Sequence, residues 1–125
     1  MGFLNRIFGR LTESDEARLA EETRSWACTV PGTVPIAEAP LRKPVKVAGV
    51  VRRITVLPME GNESLEAVIS DGTGEMTVVF MGRRALSGLN LGTRVVVQGV
   101  GGRQRDGTVR MVNPKFEFSK PGSTP

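Results

Sequence analysis

Residues 45–56, VKVAGVVRRITV, contain the pattern from which the architecture of this chain can be predicted. Apolar residues occupy alternate positions up to Val51, as in a β-strand with one buried face. After Arg53 the alternation continues at Ile54 and Val56, one residue out of phase. Such a slip inside one strand indicates a β-bulge or a sharp bend. A long strand that bends can pair in two directions, so this stretch predicts a small closed β-barrel.

Four more strands are predicted after this first one. Apolar alternation indicates the second and third strands, and β-branched residues indicate the fourth. Glycine-containing turns separate them, and an Asn-Pro pair interrupts the fifth strand. The four predicted strands cover residues 65–70, 76–81, 94–100 and 108–118, with the interruption at 113–114.

A short helix is predicted between the third and fourth strands, over Arg83–Leu89, because Ala85, Leu86 and Leu89 have helical spacing. Five strands in this order, with a helix after the third, match an oligonucleotide/oligosaccharide-binding (OB) barrel. An SH3-like barrel is the main alternative, and it typically lacks that helix. The predicted fold is therefore all-β, a five-stranded Greek-key OB barrel preceded by an N-terminal helical segment.

The first third of the chain has a different character. Thr12 and Asp15 have the spacing of a helix-capping box, and strong helix formers follow over Glu13–Trp26. Trp26 either anchors this helix on the core or offers a surface for stacking. The proline-rich residues 29–44 are a linker or a wrapping arm. The predicted parts are a helical segment with its proline-rich linker, the OB domain and a disordered tail, at residues 1–41, 42–120 and 121–125.

The extreme N-terminus is apolar at helical spacing and basic beside that stripe. The apolar residues are Phe3, Leu4, Ile7, Phe8 and Leu11, and the basic residues are Arg6 and Arg10. Such a segment either touches a membrane surface or a partner protein, or packs on its own chain or frays. No run approaches the ~20 apolar residues of a membrane span, and no secretory signal is recognisable. We expect a cytoplasmic protein without integral membrane association.

The composition excludes several kinds of chemistry. The 125 residues include no histidine, no tyrosine and one cysteine. A Ser-His-Asp or Cys-His nucleophile, a structural zinc site and an intrachain disulfide are therefore ruled out. No phosphate-binding loop is present either. The sequence predicts a protein that is not an enzyme and uses no cofactor or metal.

The charge distribution favours a polyanionic partner. The formal net charge is +4 and the sequence pI is about 10.0. Residues 1–41 hold 4 basic and 6 acidic side chains, whereas residues 42–125 hold 13 basic and 7 acidic ones. The positive excess therefore lies on the predicted barrel, where a nucleic acid would bind.

Particular segments of the barrel resemble a known family. The segment LEAVISDGTG at residues 65–74, followed by alternating Met76, Val78 and Phe80, resembles the strand-turn-strand signature of nucleic-acid-binding OB domains of the anticodon-binding type. With GRR at 82–84 and MVNPKFE at 111–117, the chain is also similar to small stand-alone actinobacterial-type OB-fold proteins. The resemblance covers roughly residues 44–118 and implies nucleic-acid binding, although OB domains also bind proteins and sugars.

The candidate binding residues form two groups. Basic residues near strand ends and loops are expected to contact phosphates: Arg52, Arg53, Arg83, Arg84, Arg103, Arg105, Arg110 and Lys115. The third strand is expected to contact bases, through Thr77, Val79, Phe80 and Met81. Phe80 is the best candidate for stacking, but its spacing also suits a core position. The acidic Glu60, Glu63 and Glu66 would repel phosphate on one half of the groove.

Two functional hypotheses follow. The first is an OB-fold protein that binds single-stranded DNA or RNA through a basic groove. The alternative is an adaptor whose barrel binds a protein partner, in one version close to a membrane through the N-terminal apolar segment. Sparse aromatic residues and the acidic helix motivate the alternative.

Overall fold

A computed structural model describes the backbone of residues 2–59 and 62–119. This part of the chain contains a long helix, a short 3₁₀ turn at Ile36–Glu38 and six strands. The helix is α1 (Gly2–Ala27), and the strands are β1 (Pro44–Met59), β2 (Asn62–Ser70), β3 (Glu75–Met81), β4 (Arg94–Arg103), β5 (Val109–Val112) and β6 (Lys115–Ser119).

The first strand, β1, belongs to two parts of the sheet, as its sequence predicts. Its first half pairs antiparallel with β4, from Pro44 to Val50, and its second half pairs antiparallel with β2. The register with β2 shifts between Val51 and Arg53, which places Arg52 at a β-bulge. The bulge lies where the apolar alternation changes phase, so side chains on both halves of the strand can face one interior.

The remaining pairings close the barrel. The hydrogen-bonded order is β1-β2-β3-β5-β4-β6, and the additional β1–β4 pairing joins the two sides. The short β3–β5 pairing is parallel and the others are antiparallel. Strands β5 and β6 are the two halves of the predicted fifth strand, broken at Asn113-Pro114. The five-stranded OB barrel is therefore confirmed.

Asn113 makes the break between β5 and β6 part of the barrel. Its φ of 49° is in the left-handed region, which asparagine tolerates better than most residues. Its backbone N–H donates to the carbonyl of Val79 at 2.7 Å, and its Oδ1 accepts from the N–H of Met81 at 2.9 Å. These two bonds extend the contact with β3 beyond the end of β5.

The predicted helix over Arg83–Leu89 is wrong, because this segment consists of turns. Gly82 and Gly88 have φ of 76° and 92°, in the left-handed region, and so interrupt helical geometry on both sides of Leu86. Too few residues remain between them to offset the cost of starting a helix. Leu86 and Leu89 nevertheless pack against the core, so their apolar spacing reflects burial rather than helix formation.

The core is built from the inward-facing apolar residues of the strands, and the charged residues of β6 face solvent. The largest fully buried side chains are Leu65, Ile69, Met76, Met111, Val47, Val51, Val78, Val95 and Val97. Burying one such side chain stabilises the fold by about 1.5–3 kcal/mol. Phe80 packs edge-to-face on Phe116, with ring centroids 5.1 Å apart, and Phe116 stacks on Phe118 at 5.0 Å. The three phenylalanines thus join β3 to β6, with Phe80 in the core and Phe116 and Phe118 partly buried against it.

The helix α1 is longer than the sequence predicts. It runs through Thr12 instead of beginning there, because residues 2–11 also have helical apolar spacing and contain no proline. Its C-terminal half packs on the barrel, where Thr23 and Ala27 are buried. The guanidinium of Arg94 lies 5.0 Å from the centre of the Trp26 ring, a cation–π contact that joins α1 to the start of β4.

The proline-rich segment is a wrapping arm rather than a free linker. The N–H of Val34 donates to the carbonyl of Lys46 at 3.0 Å, and the N–H of Ile36 donates to Oδ2 of Asp71 at 2.8 Å. Asp71 also accepts from the N–H and the hydroxyl of Thr73. The arm is therefore fastened to the β2–β3 turn. The predicted disordered tail, 121–125, lies outside the described residues.

Candidate nucleic-acid interface

A polar groove of about 310 Å³ lies on the outer face of β1, β2, β3 and β5. Sheet register explains why distant residues meet there, since Arg53 pairs with Val68, Val68 with Thr77, and Thr77 with Arg110. Side chains directly across neighbouring strands share a face. The lining residues are Arg53, Thr55, Glu66, Val68, Thr77, Gln104, Asp106, Thr108 and Arg110.

An ion pair between Arg110 and Glu66 crosses this face. Arg110 is on β5 and Glu66 is on β2, and β3 lies between these strands in the sheet. Arg110 is opposite Thr77, whereas Glu66 is opposite Val79, so the pair runs diagonally over β3. The two side chains are 35% and 16% exposed. The groove floor therefore contains a guanidinium whose charge is already compensated.

The turn between β4 and β5, residues 104–108, forms one wall of the groove. Oδ1 of Asp106 accepts from the Thr108 hydroxyl at 2.7 Å and from its N–H at 3.0 Å. Together these bonds hold the pKa of Asp106 below its usual value of 3.8, and the bond from the hydroxyl has the larger effect. Asp106 is therefore ionised at neutral pH. Arg103 is tied to the same turn through a hydrogen bond from its guanidinium to the Gly107 carbonyl, 3.2 Å long.

The groove itself is balanced in charge. Arg53 and Arg110 contribute two positive charges to its lining, and Glu66 and Asp106 contribute two negative charges. The excess of positive charge expected for the groove is therefore absent from this face, where carboxylates equal the arginines in number. Sequence reasoning identified Glu66 as a source of repulsion but did not pair it with Arg110.

The structure separates the predicted basic residues. Arg53 and Arg110 meet in the groove beside Thr77. Arg103 ends β4 and Arg105 lies in the turn that follows, and neither side chain lines the groove. Arg52, in contrast, binds Glu16 of α1 at 2.8 Å and lines a different groove against the helix. Arg52 and Arg53 therefore lie on different surfaces, because the bulge separates the directions of neighbouring side chains.

The other predicted cations lie beyond the end of β3. Arg84 forms an ion pair with Glu63 of β2, with 2.6 Å between Nε and Oε2. Arg83 is exposed in the turn that follows β3, and Lys115 is exposed at the start of β6. Among the described residues, Arg53, Arg83, Arg103, Arg105 and Lys115 have no ion-pair partner. An anion would meet these five charges without displacing a carboxylate of the described residues.

The predicted base-contacting residues divide by burial. Phe80 is 3% exposed and packs on Phe116, so of its two predicted roles the core position is right and base stacking is wrong. Val79 is also buried and offers little surface. Met81 is 52% exposed on the outer face, and Val112 of β5, which the sequence analysis missed, is 51% exposed. The spacing Arg110-x-Val112 in one strand was the signal, since alternate residues share a face.

The comparison with protein families agrees with this architecture. The family described as OB-fold nucleic acid binding domain matches residues 45–118, more than half of the chain. The chain belongs to this family, and the membership supports a general nucleic-acid-binding role. No curated protein matches the chain significantly. In the part of the chain that the structure describes, α1 lacks the long apolar run needed to cross a membrane.

Proposed function

We propose that this chain is a non-enzymatic protein that binds single-stranded DNA or RNA across the outer face of β1, β2, β3 and β5. The observation that supports this most directly is the groove beside β3, next to the exposed Met81 and Val112. A polar groove with adjacent apolar surface can hydrogen-bond base edges and cover base faces. A regular duplex keeps its bases stacked inside, so the proposal favours single strands.

The proposal assigns the contacts to two sets of residues. Met81 and Val112 contact the faces of bases, while hydroxyls such as that of Thr77 contact their edges. Three exposed arginines contact phosphates: Arg53 on β1, Arg103 at the end of β4 and Arg105 in the β4–β5 turn. Aliphatic contacts replace the aromatic stacks that contribute about 1–3 kcal/mol per base in other single-strand binders. We therefore expect modest affinity that depends on salt.

The decisive residue for a test is Arg53, because it lines the groove and has no ion-pair partner among the described residues. Fluorescence anisotropy with labelled DNA and RNA oligonucleotides would measure affinity across several salt concentrations. Replacing Arg53 with alanine should weaken binding and reduce the salt slope by about 0.7, the loss of one single-strand phosphate contact. Arg18→Ala, an exposed position on α1, removes the same charge away from the groove and is the matched control.

Two results would contradict the proposal. One is equal binding by the Arg53 and Arg18 variants, which would show that the groove is not used. The other is no binding of any oligonucleotide by the wild-type chain below 1 mM at low salt, since even non-specific dissociation constants are typically about 10⁻⁴–10⁻⁶ M.

A second candidate function is an interaction module that binds a protein, or a membrane surface, through the start of α1. It is favoured by the helical spacing of Phe3, Leu4, Ile7 and Phe8 near the start of α1, which begins at Gly2. Deleting residues 2–12 should then abolish co-sedimentation with anionic vesicles, or abolish the recovery of a protein partner that stays bound after nuclease treatment. The first function would be favoured if oligonucleotide binding survives this deletion and the full chain shows neither vesicle co-sedimentation nor a protein partner.

A further inference from the structure

One arginine of the groove, Arg110, is already bound by a carboxylate of the same chain. The Arg110–Glu66 pair lies across β3, and Glu66 is the more buried partner. Both charges are therefore partly removed from water. Salt screens such a partly buried ion pair less than it screens a pair at an open surface. An incoming phosphate would have to compete with Glu66 for Arg110.

A second carboxylate faces the groove from a different element. Asp106 is on the β4–β5 turn, and both hydrogen bonds from Thr108 go to its Oδ1. A phosphate placed at Arg110 would thus meet Glu66 on the sheet and Asp106 on the wall. A nucleobase carries no net charge, and its amino and imino groups can donate to these carboxylates.

We infer that Glu66, assisted by Asp106, is a specificity-determining residue that withholds Arg110 from phosphate and makes the groove discriminate against a polyanion without bases. This inference rests on the proposed function and names the part of the ligand that the groove accepts. Phosphates then bind at the exposed Arg53, Arg103 and Arg105, which have no ion-pair partner among the described residues. The arrangement lowers binding to polyanions in general and leaves discrimination to the bases.

Glu66→Gln tests this directly because it keeps the side-chain shape and removes the charge. Arg110 then becomes available to one more phosphate, so the salt slope for a single strand should steepen by about 0.7. Glu117→Gln makes the same change in net charge at an exposed position on β6 and is the matched control.

The experiment compares two labelled probes of equal length, using the full chain. One is a single-stranded oligonucleotide of mixed sequence, and the other is an abasic oligomer with the same number of phosphates. Wild type should bind the abasic probe much more weakly than the normal probe. The affinity ratio between the two probes should fall severalfold in Glu66→Gln and stay at the wild-type value in Glu117→Gln.

Each other outcome has a definite meaning. An unchanged ratio and slope in Glu66→Gln, or equal changes in both variants, would overturn the inference while leaving the proposed function in place. Failure of every chain to bind the normal probe would overturn the proposed function as well. If thermal unfolding shows that Glu66→Gln is not folded, Asp106→Asn on the exposed turn replaces it, and an unchanged ratio there would also overturn the inference.

Discussion

Replacing Gly72 with alanine should detach α1 from the barrel as well as strain the β2–β3 turn. Gly72 has a φ of +89°, which an L side chain rarely adopts. A Cβ at this position would also lie 2.7 Å from the carbonyl oxygen of Ala20 and 2.8 Å from Cγ of Arg24. The first contact is with the helix backbone, which cannot move without moving α1. Two separate costs therefore act at one residue.

Gly107 provides a matched control for this substitution. It has the same φ of +89°, and a Cβ there would meet nothing within 4 Å. Gly107→Ala thus pays only the backbone cost, roughly 1–2 kcal/mol for a left-handed residue. Gly72→Ala has that backbone cost and also displaces α1, for which we expect a further ~1–3 kcal/mol of destabilisation, the usual range for overpacking.

The assay combines unfolding with a local probe. Urea unfolding followed by circular dichroism gives the two free-energy changes, and the fluorescence of Trp26 reports on the helix, because this ring contacts Arg94 of β4. Gly72→Ala should alter the native Trp26 emission, and Gly107→Ala should not. Equal losses of stability with unchanged emission in both variants would refute the packing of α1 against this turn.

Two further predictions concern aspartates. Asp71 is 3% exposed and accepts three hydrogen bonds. Asp71→Ala should lower the free energy of unfolding in urea by about 2–4 kcal/mol, because it leaves the buried N–H of Ile36 in the arm unpaired. A loss of stability within error of zero would contradict the attachment of the arm to Asp71. Asp106 has a lowered pKa in the folded chain, so its contribution to stability is present above the usual value of 3.8 and is lost as the pH falls through the lower folded value. Asp106→Asn and Thr108→Val should both flatten the decline of stability in that acid range, measured by urea unfolding against pH, and an unchanged decline in both variants would disprove the role of the hydrogen bonds.

Local patterns in the sequence were sufficient to predict most of the barrel. The change of phase after Arg53 located the bulge, and Asn113-Pro114 located the break in the last strand. Both features follow from side-chain alternation and backbone geometry over a few residues. The turn segment Arg83–Leu89 was mistaken for a helix because burial against a barrel end produced helix-like apolar spacing.

The electrostatics of the site could not be predicted in the same way. Glu66 and Arg110 are 44 residues apart, and their contact depends on the order in which β2, β3 and β5 join the sheet. Counting basic residues gave the correct sign for the barrel as a whole but not for the groove. Neighbours such as Arg52 and Arg53 also separate once a bulge intervenes, so adjacency along the chain does not imply a shared surface.

The double pairing of β1 sets an order of events during synthesis. Its second half meets β2 through the nearby hairpin, whereas its first half, through Pro44, needs Val100 of β4. A nascent chain can therefore assemble the β1–β2–β3 meander while half of β1 still lacks its neighbour. Until the ribosome has released β4, that half exposes unpaired backbone and a row of valines, and this is the interval in which the chain is most exposed to association with other nascent chains.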